Sequence, residues 1–370
     1  MPAALPAPAQ TVRARAAVRA FQQADVAPVL ALRQQCFGST EHESEDALAR
    51  YFTELFFGHP WYDDTVPSLV AEDAEHRIVG FLGVIPRPML VDGTPIRVAT
   101  TTHFMAARSA GPLVAVALLR TLFGGPQDLA IADVSSDRVR QLWTYLGGVQ
   151  IPAGTLAWYR LLRPAQHAAA RLHHRGVIGL TARLAARAVD TVAGTYTTAF
   201  QRPRRPARAA RRPLGDAELL GRLHAPGDQT FHGVYDEASL AWLLAMMARK
   251  RWFGTLRRTE VVDDGARPLG WYVAYTRPHG SALVADLGAR AGAAGTVIDH
   301  LLDEAAGLGC TAVSGRFDAR IADDLGKRGA LVVATPNGIV AHSRNQTLLA
   351  RLARANTPLS RLDGEWWMAF

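Results

Sequence analysis

The sequence predicts an α/β chain built as two similar halves, and three observations predict it. Nearly half of the 370 residues are hydrophobic (49%) and 20% are charged, enough for sizeable cores under an ordinary surface. From Asp25 to Gly148 short apolar runs alternate with stretches of helical spacing. The order strand, strand, turn, helix, strand, helix then returns between Arg267 and Ala334, a repeat of pattern with little residue identity. Length alone also favours two domains.

The first element is a tail. MPAALPAPAQTVRARAAVRA has prolines and arginines where an export signal needs an apolar core, so residues 1–17 read as frayed and a cytoplasmic protein is expected. Residues 18–161 form the first folded half. Asp25 to Phe37 has helical spacing, and Pro67 to Glu72 and Arg77 to Ile85 are strands joined as a hairpin through the polar EDAEH. Asp92-Gly93 marks the next tight turn, because both residues tolerate positive φ. Ile96 to Ala106 is β-rich, Pro112 to Phe123 helical, Asp128 to Val134 a strand, and Asp137 to Leu146 a helix stopped by Gly147-Gly148.

Residues 162–213 differ in kind. They are dense in Ala, Arg and His and close on the proline-broken QRPRRPARAARRP, which reads as a basic, partly helical linker. Its most apolar part, Gly176 to Phe200, carries Arg183, Arg187 and Asp190, which excludes a membrane span there. The second half, 214–370, holds a helix over Tyr235 to Arg249 and strands at Arg267–Tyr275 and Ser281–Leu287. A helix over Gly295 to Leu308, a strand at Thr311–Gly315, a helix over Asp318 to Lys327 and a strand at Leu331–Ala334 follow.

The net charge of +8, from 41 basic against 33 acidic residues, is the one hint of a polyanionic partner. Arginine outnumbers lysine and alanine is abundant throughout, a bias that genome composition explains, so no nucleic-acid partner is expected. Cys36 and Cys310 lie far apart with no metal-ligand spacing and read as buried thiols.

One junction carries chemistry. HFMAARSAGPLVAVALLRTLF runs from a strand through Arg108 and Gly111 into a helix. Amides of a helix's first turn lack intrahelical partners, the macrodipole adds positive character, and glycine admits a ligand close to the main chain. Pro112 suits the first helical position, and Arg108 adds a full charge. Such a turn suits a diphosphate. Leu113, Val114, Val116, Leu118 and Leu119 make the helix apolar nearly all round, so burial against a sheet is expected to fix its direction.

These residues resemble the Q/R-x-x-G-x-G/A motif of the GNAT superfamily of N-acyltransferases. Arg108-Ser109-Ala110-Gly111-Pro112-Leu113 matches its first and fourth positions and departs at the sixth. The resemblance implies two GNAT-like domains in tandem, each a mixed twisted sheet flanked by helices. It also implies acetyl-CoA or another acyl-CoA as donor, with a small-molecule or peptide amine as acceptor. Phe104, Met105 and Ala106 would offer main-chain groups to pantetheine, and Arg108, Ser109, Ala110, Gly111 and Leu113 would hold the diphosphate. Relatives commonly place a tyrosine acid on the following helix; Trp143 stands there, which has no proton to give, and Tyr145 lies two residues on. His103 and Asp133 are the candidate bases, His103 because it titrates near neutrality. Pleating places His103 on one face with Thr101 and Met105; a histidine merely hydrogen-bonded in the sheet, or an Asp133 merely closing a turn, would look the same. In the second half Arg290-Ala-Gly-Ala-Ala-Gly295 resembles the motif more faintly, so that half is expected to keep the fold with or without cofactor. Two further readings stay open: a non-catalytic scaffold or acyl-CoA sensor, and aminoacyl transfer from charged tRNA.

Overall fold

The computed structural model describes residues 16–38, 44–171, 186, 189–190, 209–224, 231–354 and 359–368. The chain divides into two compact units, one of residues 1–58, 63–85 and 103–126, the other of 59–62, 86–102 and 127–370.

The smaller unit opens with β1 (Ala17–Ala20), α1 (Val26–Phe37) and α2 (Glu45–Phe57). Strand β1 pairs antiparallel with β2 (Leu69–Glu72), and β2 with the start of β3 (Ile78–Val91), through the expected hairpin turn. The Ser44 hydroxyl caps α2 by accepting from the Ala47 amide at 3.3 Å. Leu48, Tyr51, Phe52, Leu55 and Phe56 recur on one face of α2 and are buried, with Phe56 and Phe21 edge-on against Phe81 or each other. The end of β4 (Thr94–Ala106) and the whole of α3 (Pro112–Phe123) complete this unit.

In the larger unit β3 and β4 turn at Asp92-Gly93, with φ of 47° and 77°, the doubly positive turn expected there. Strand β3 runs on past Ile85 through Pro86 and Pro88. Its ladder to β2 ends at Leu82 and its ladder to β9 (Phe231–Gly233) covers only Met89–Val91, so neither proline interrupts those pairings. Then come β5 (Leu129–Ser135), α4 (Asp137–Tyr145), β6 (Val149–Ile151), β7 (Leu156–Leu161) and α5 (Pro164–Arg171). The later elements are β8 (Ala209–Pro213), α6 (Asp216–Leu223), α7 (Glu237–Ala248), β10 (Thr255–Asp263), β11 (Pro268–Thr276), β12 (Ser281–Ala289) and α8 (Ala294–Gly307). β13 (Ala312–Arg316), α9 (Ala322–Gly326), β14 (Leu331–Ala334), β15 (Gly338–His342) and α10 (Gln346–Arg354) close the chain.

Strand pairing makes the repeat explicit. Val98 of β4 pairs in parallel with Leu129 of β5, and Ser281 of β12 pairs in parallel with Ala312 of β13; both members of the second pair lie 183 residues beyond the first. The halves then trade a strand. β7 inserts between β13 and β14 of the second sheet, while β15 inserts between β5 and β6 of the first. Each sheet is therefore completed by the other half of the sequence. The second sheet, in the order β14-β7-β13-β12-β11-β10-β8, packs Trp158, Tyr272, Val297, Ile298 and Leu301 into one core.

Two expectations change here. The closing residues of the basic stretch are an edge strand, β8, because Arg211 meets Asp303 at 3.0 Å and Arg212 meets the buried Glu260 at 2.7 Å. The rest of Gly176–Phe200 lies outside the described residues apart from 186, 189 and 190. Helix α3 buries one face, not its circumference: Val114, Leu118, Leu119, Leu122 and Phe123 are inside, and Leu113 is 72% exposed. Cys36 is half-buried and Cys310 buried, both as thiols. Among the described residues no helix is long and apolar enough to cross a membrane.

Candidate active site

In the smaller unit, β4 stops at Ala106 and the Ala107 amide donates to the Val79 carbonyl at 2.8 Å, which ties the strand end to β3. One 3₁₀ turn over Arg108–Ala110 follows, then Gly111 at φ 77° and ψ 174°, a region open essentially to glycine alone, where an L side chain costs about 1–3 kcal/mol. Pro112 opens α3 as expected. The helix is seated through Gly80, where a Cβ would come within 2.6 Å of Val114 and 3.0 Å of Leu118. That close approach fixes where the first-turn amides face. Arg108 and Ser109 are exposed, Ala110 and Gly111 half-buried. The donor set of this turn, first-turn helix amides preceded by the exposed Arg108, fits a diphosphate.

Upstream, Phe104 and Ala106 are half-buried and Met105 buried. The Ala106 carbonyl accepts a contact from the Cys36 thiol at 3.6 Å. His103 has φ 50°, so the backbone leaves the extended region and the pleat alternation does not carry through it. Its ring sits edge-on against Phe52 and Phe56, with centroids 5.1 and 6.0 Å away.

The larger unit holds a separate polar centre around Asp133. β4 and β5 stay in register only from Val98–Leu129 to Thr100–Ile131, and the Thr101 hydroxyl donates to the Ile131 carbonyl at 3.1 Å. Beyond this point the Asp133 and Val134 amides donate to Oε1 of Glu365, at 3.1 and 3.2 Å. The Glu365 amide in turn donates to Oδ1 of Asp133 at 2.5 Å, and the Thr102 side chain also bonds Glu365. Oδ2 of Asp133 takes Nη2 of Arg316 at 2.7 Å, while Nη1 of Arg316 donates to the Leu359 carbonyl. Arg316 lies 183 residues beyond Asp133, so the ion pair joins corresponding positions at the ends of β5 and β13.

Two carboxylates thus share one centre, and among the described residues only Asp133 has a cation. Burial, with the Asp133 charge second, pushes Glu365 up to about 8, although its side chain is still partly reached by solvent. A carboxylate titrating near neutrality is able to accept a proton from an ammonium. Gly364 makes the approach feasible, because a Cβ there would fall 2.0 Å from Oδ2 of Asp133. The segment carrying Glu365 is pinned from behind. Arg87, 1% exposed, donates to the Asp363 carbonyl at 2.6 Å and to the Tyr235 hydroxyl at 2.6 Å, and Tyr235 donates to Asp363 at 2.5 Å. The Arg87 guanidinium also lies 4.6 Å over the Trp61 ring.

Of the three catalytic candidates, Asp133 is at this centre, buried and ion-paired. His103 is in the smaller unit among phenylalanines. Tyr145 ends α4 at 79% exposure, and Trp143, 1% exposed, is a core residue. Glu365, Arg316 and Arg87 were not foreseen. The signals available were the charged Asp363-Gly-Glu365 ahead of Trp366-Trp367, and Arg87 alone among apolar residues between two prolines.

No protein-family model matches the chain, and no curated protein does. Solved structures do. A probable N-acyltransferase from Enterococcus faecalis superposes with a TM-score of 0.59 at 11% identity, over 89% of this chain and 72% of that one. A GCN5-related N-acetyltransferase from Anabaena variabilis gives 0.57 at 12% identity, over 90% and 74%. Saccharomyces cerevisiae N-myristoyltransferase with bound myristoyl-CoA gives 0.52 at 9% identity, over 92% and 81%. The fold is that of GCN5-related N-acetyltransferases: two mixed sheets flanked by helices.

Proposed function

We propose that the protein is an acyl-CoA-dependent N-acyltransferase, with acetyl-CoA as its donor, acting on a small-molecule or peptide amine in the cytoplasm by direct transfer. The observation that carries this reading is the turn from β4 into α3, where Gly111 at φ 77° and exposed Arg108 precede a helix seated against Gly80. In this reading the amides past Arg108 take the diphosphate, and the main chain of Phe104–Ala106 takes pantetheine. His103, on the strand that leads into this turn, accepts the proton that the attacking amine must lose, directly or through water, and the leaving thiolate is protonated from solvent.

Coenzyme A is expected to raise the melting temperature of the intact protein, and the double variant Arg108→Ala, Gly111→Trp to lose that shift. A wild-type protein unmoved by coenzyme A ends the reading. The buried Trp143 and the solvent-facing Tyr145 favour a second one, a coenzyme A-binding sensor without catalysis. The two part on a single assay, thiol release in the presence of an amine panel.

A further inference from the structure

The second half keeps an opening between its parallel strands. β12 and β13 stay paired only to Leu283–Ser314, and beyond that point a cavity of about 60 Å³ lies between them. It is walled by apolar side chains such as Trp158 and Phe231 and by the polar Asp286, Arg316, Arg320 and Arg361. By the 183-residue register this is the counterpart of the opening between β4 and β5, with Asp286 at the position of His103. A coenzyme does not suit it. The first turn of α8 is covered, since a Cβ on Gly295 would lie 2.5 Å from Nη2 of Arg328 and 2.7 Å from Oδ1 of Asp324. Arg328 is itself held by Asp299 at 2.7 Å.

Most of the charges lining this cavity are already engaged. Arg316 is tied to Asp133, and Arg320 to Asp318 at 2.7 Å. Two are not. Asp286 is 7% exposed and accepts one hydrogen bond, from the Trp271 indole to Oδ2 at 2.8 Å; Oδ1 has no partner among the described residues. Arg361 donates only to the Val284 carbonyl at 3.1 Å and lies 4.7 Å over the Trp366 ring, with no carboxylate in ion-pair range among the described residues. Burial moves both groups toward neutrality, Asp286 up to about 6 and Arg361, although still partly reached by solvent, down to about 10.

We infer that this cavity is a binding site for a small zwitterion, an amine and a carboxylate on one short carbon frame, with its ammonium on Asp286 and its carboxylate on Arg361. The volume corresponds to roughly four to six waters, about the bulk of alanine or serine. A neutral or singly charged molecule of that size would leave one of these two charges uncompensated, which is the basis of selectivity.

Calorimetric titration of the full chain with L-alanine, and separately with ethylamine and propionate, tests the inference. Alanine is expected to saturate, and each half-ligand to bind at least tenfold more weakly. Asp286→Asn, which keeps an acceptor for Trp271, and Arg361→Gln are each expected to weaken alanine at least tenfold. If either variant misfolds, the half-ligand comparison on the wild-type protein decides alone. No saturable binding of alanine, half-ligands as tight as alanine, or folded variants with unchanged affinity would each overturn it. No acyl-CoA enters these titrations, so their outcome is separate from that of the acyl-transfer reading.

Discussion

The turn after β4 and the turn after β12 share a hydrogen-bond plan. Ala107 donates to Val79 at 2.8 Å, and Arg290, 183 residues later, donates to Leu269 at 2.8 Å. Ala110 donates back to Ala107, and Ala293 to Arg290. Gly80 admits α3, and Gly270, where a Cβ would lie 2.7 Å from Val297, admits α8. The turns diverge in side chains. Alignment through these bonds pairs Arg290 with Ala107 and leaves Ala291 opposite Arg108, so the faint second motif is one residue out of register and lacks the arginine. Its helix start is covered by Arg328 and Asp324, whereas Arg108 stands exposed at the first. The strand openings diverge as well. The first takes Glu365 onto the amides of Asp133 and Val134; the second keeps a cavity. One backbone repeated does not make one site repeated, because a few covering side chains decide which backbone donors a ligand can reach.

The strongest test of that contrast is Glu365→Gln, read in folding stability. The folded pKa is raised, so the native state holds an extra proton from about pH 4.5 to about 8 and stability declines across that window; Glu365→Gln should flatten the decline in a melting series. A flat wild-type stability profile would mean that Glu365 does not hold the extra proton.

Matched substitutions in the two turns come next. At a hundredfold excess over Kd, coenzyme A should stabilise the protein by about 2.7 kcal/mol. Gly111→Ala should reduce this. Gly292→Ala, also at φ 77°, should lower the melting temperature by strain of about 1 kcal/mol and leave the coenzyme A increment intact. Equal loss of the increment from both would mean that the second turn binds too. Gly364→Ala should cost about 1–3 kcal/mol in denaturant unfolding, through the clash with Asp133. Tyr145→Phe should be smallest, under about twofold in kcat, since a phenol 79% exposed does what water does. A tenfold loss would make Tyr145 the acid.

Much of this was readable in advance. Helical spacing gave α3 its limits at Pro112 and Phe123, and Asp92-Gly93 gave its hairpin, because those signals are local. Other elements were silent. β10, with Arg257, Arg258 and Glu260 in its middle, does not look like a strand until Arg212 and Arg222 neutralise Glu260 from elsewhere in the chain. Asp133 and the Arg108 turn could be singled out from sequence, while the role of Glu365 could not, its charged neighbourhood before Trp366-Trp367 being the one signal for it. Its importance lies in the two β5 amides that receive it, 232 and 231 residues away.

By itself, the sequence determined the alternation of strands and helices, the repeat and the glycine turn, since periodicity and backbone freedom act within a few residues. Only the tertiary structure decided that β7 and β15 change places, that Asp133 faces Arg316, and that Glu365 sits where β4 leaves β5. The physical reason is that an open strand edge or an unpaired backbone amide accepts any partner of the right shape. Which partner arrives is set by how the whole chain closes its cores.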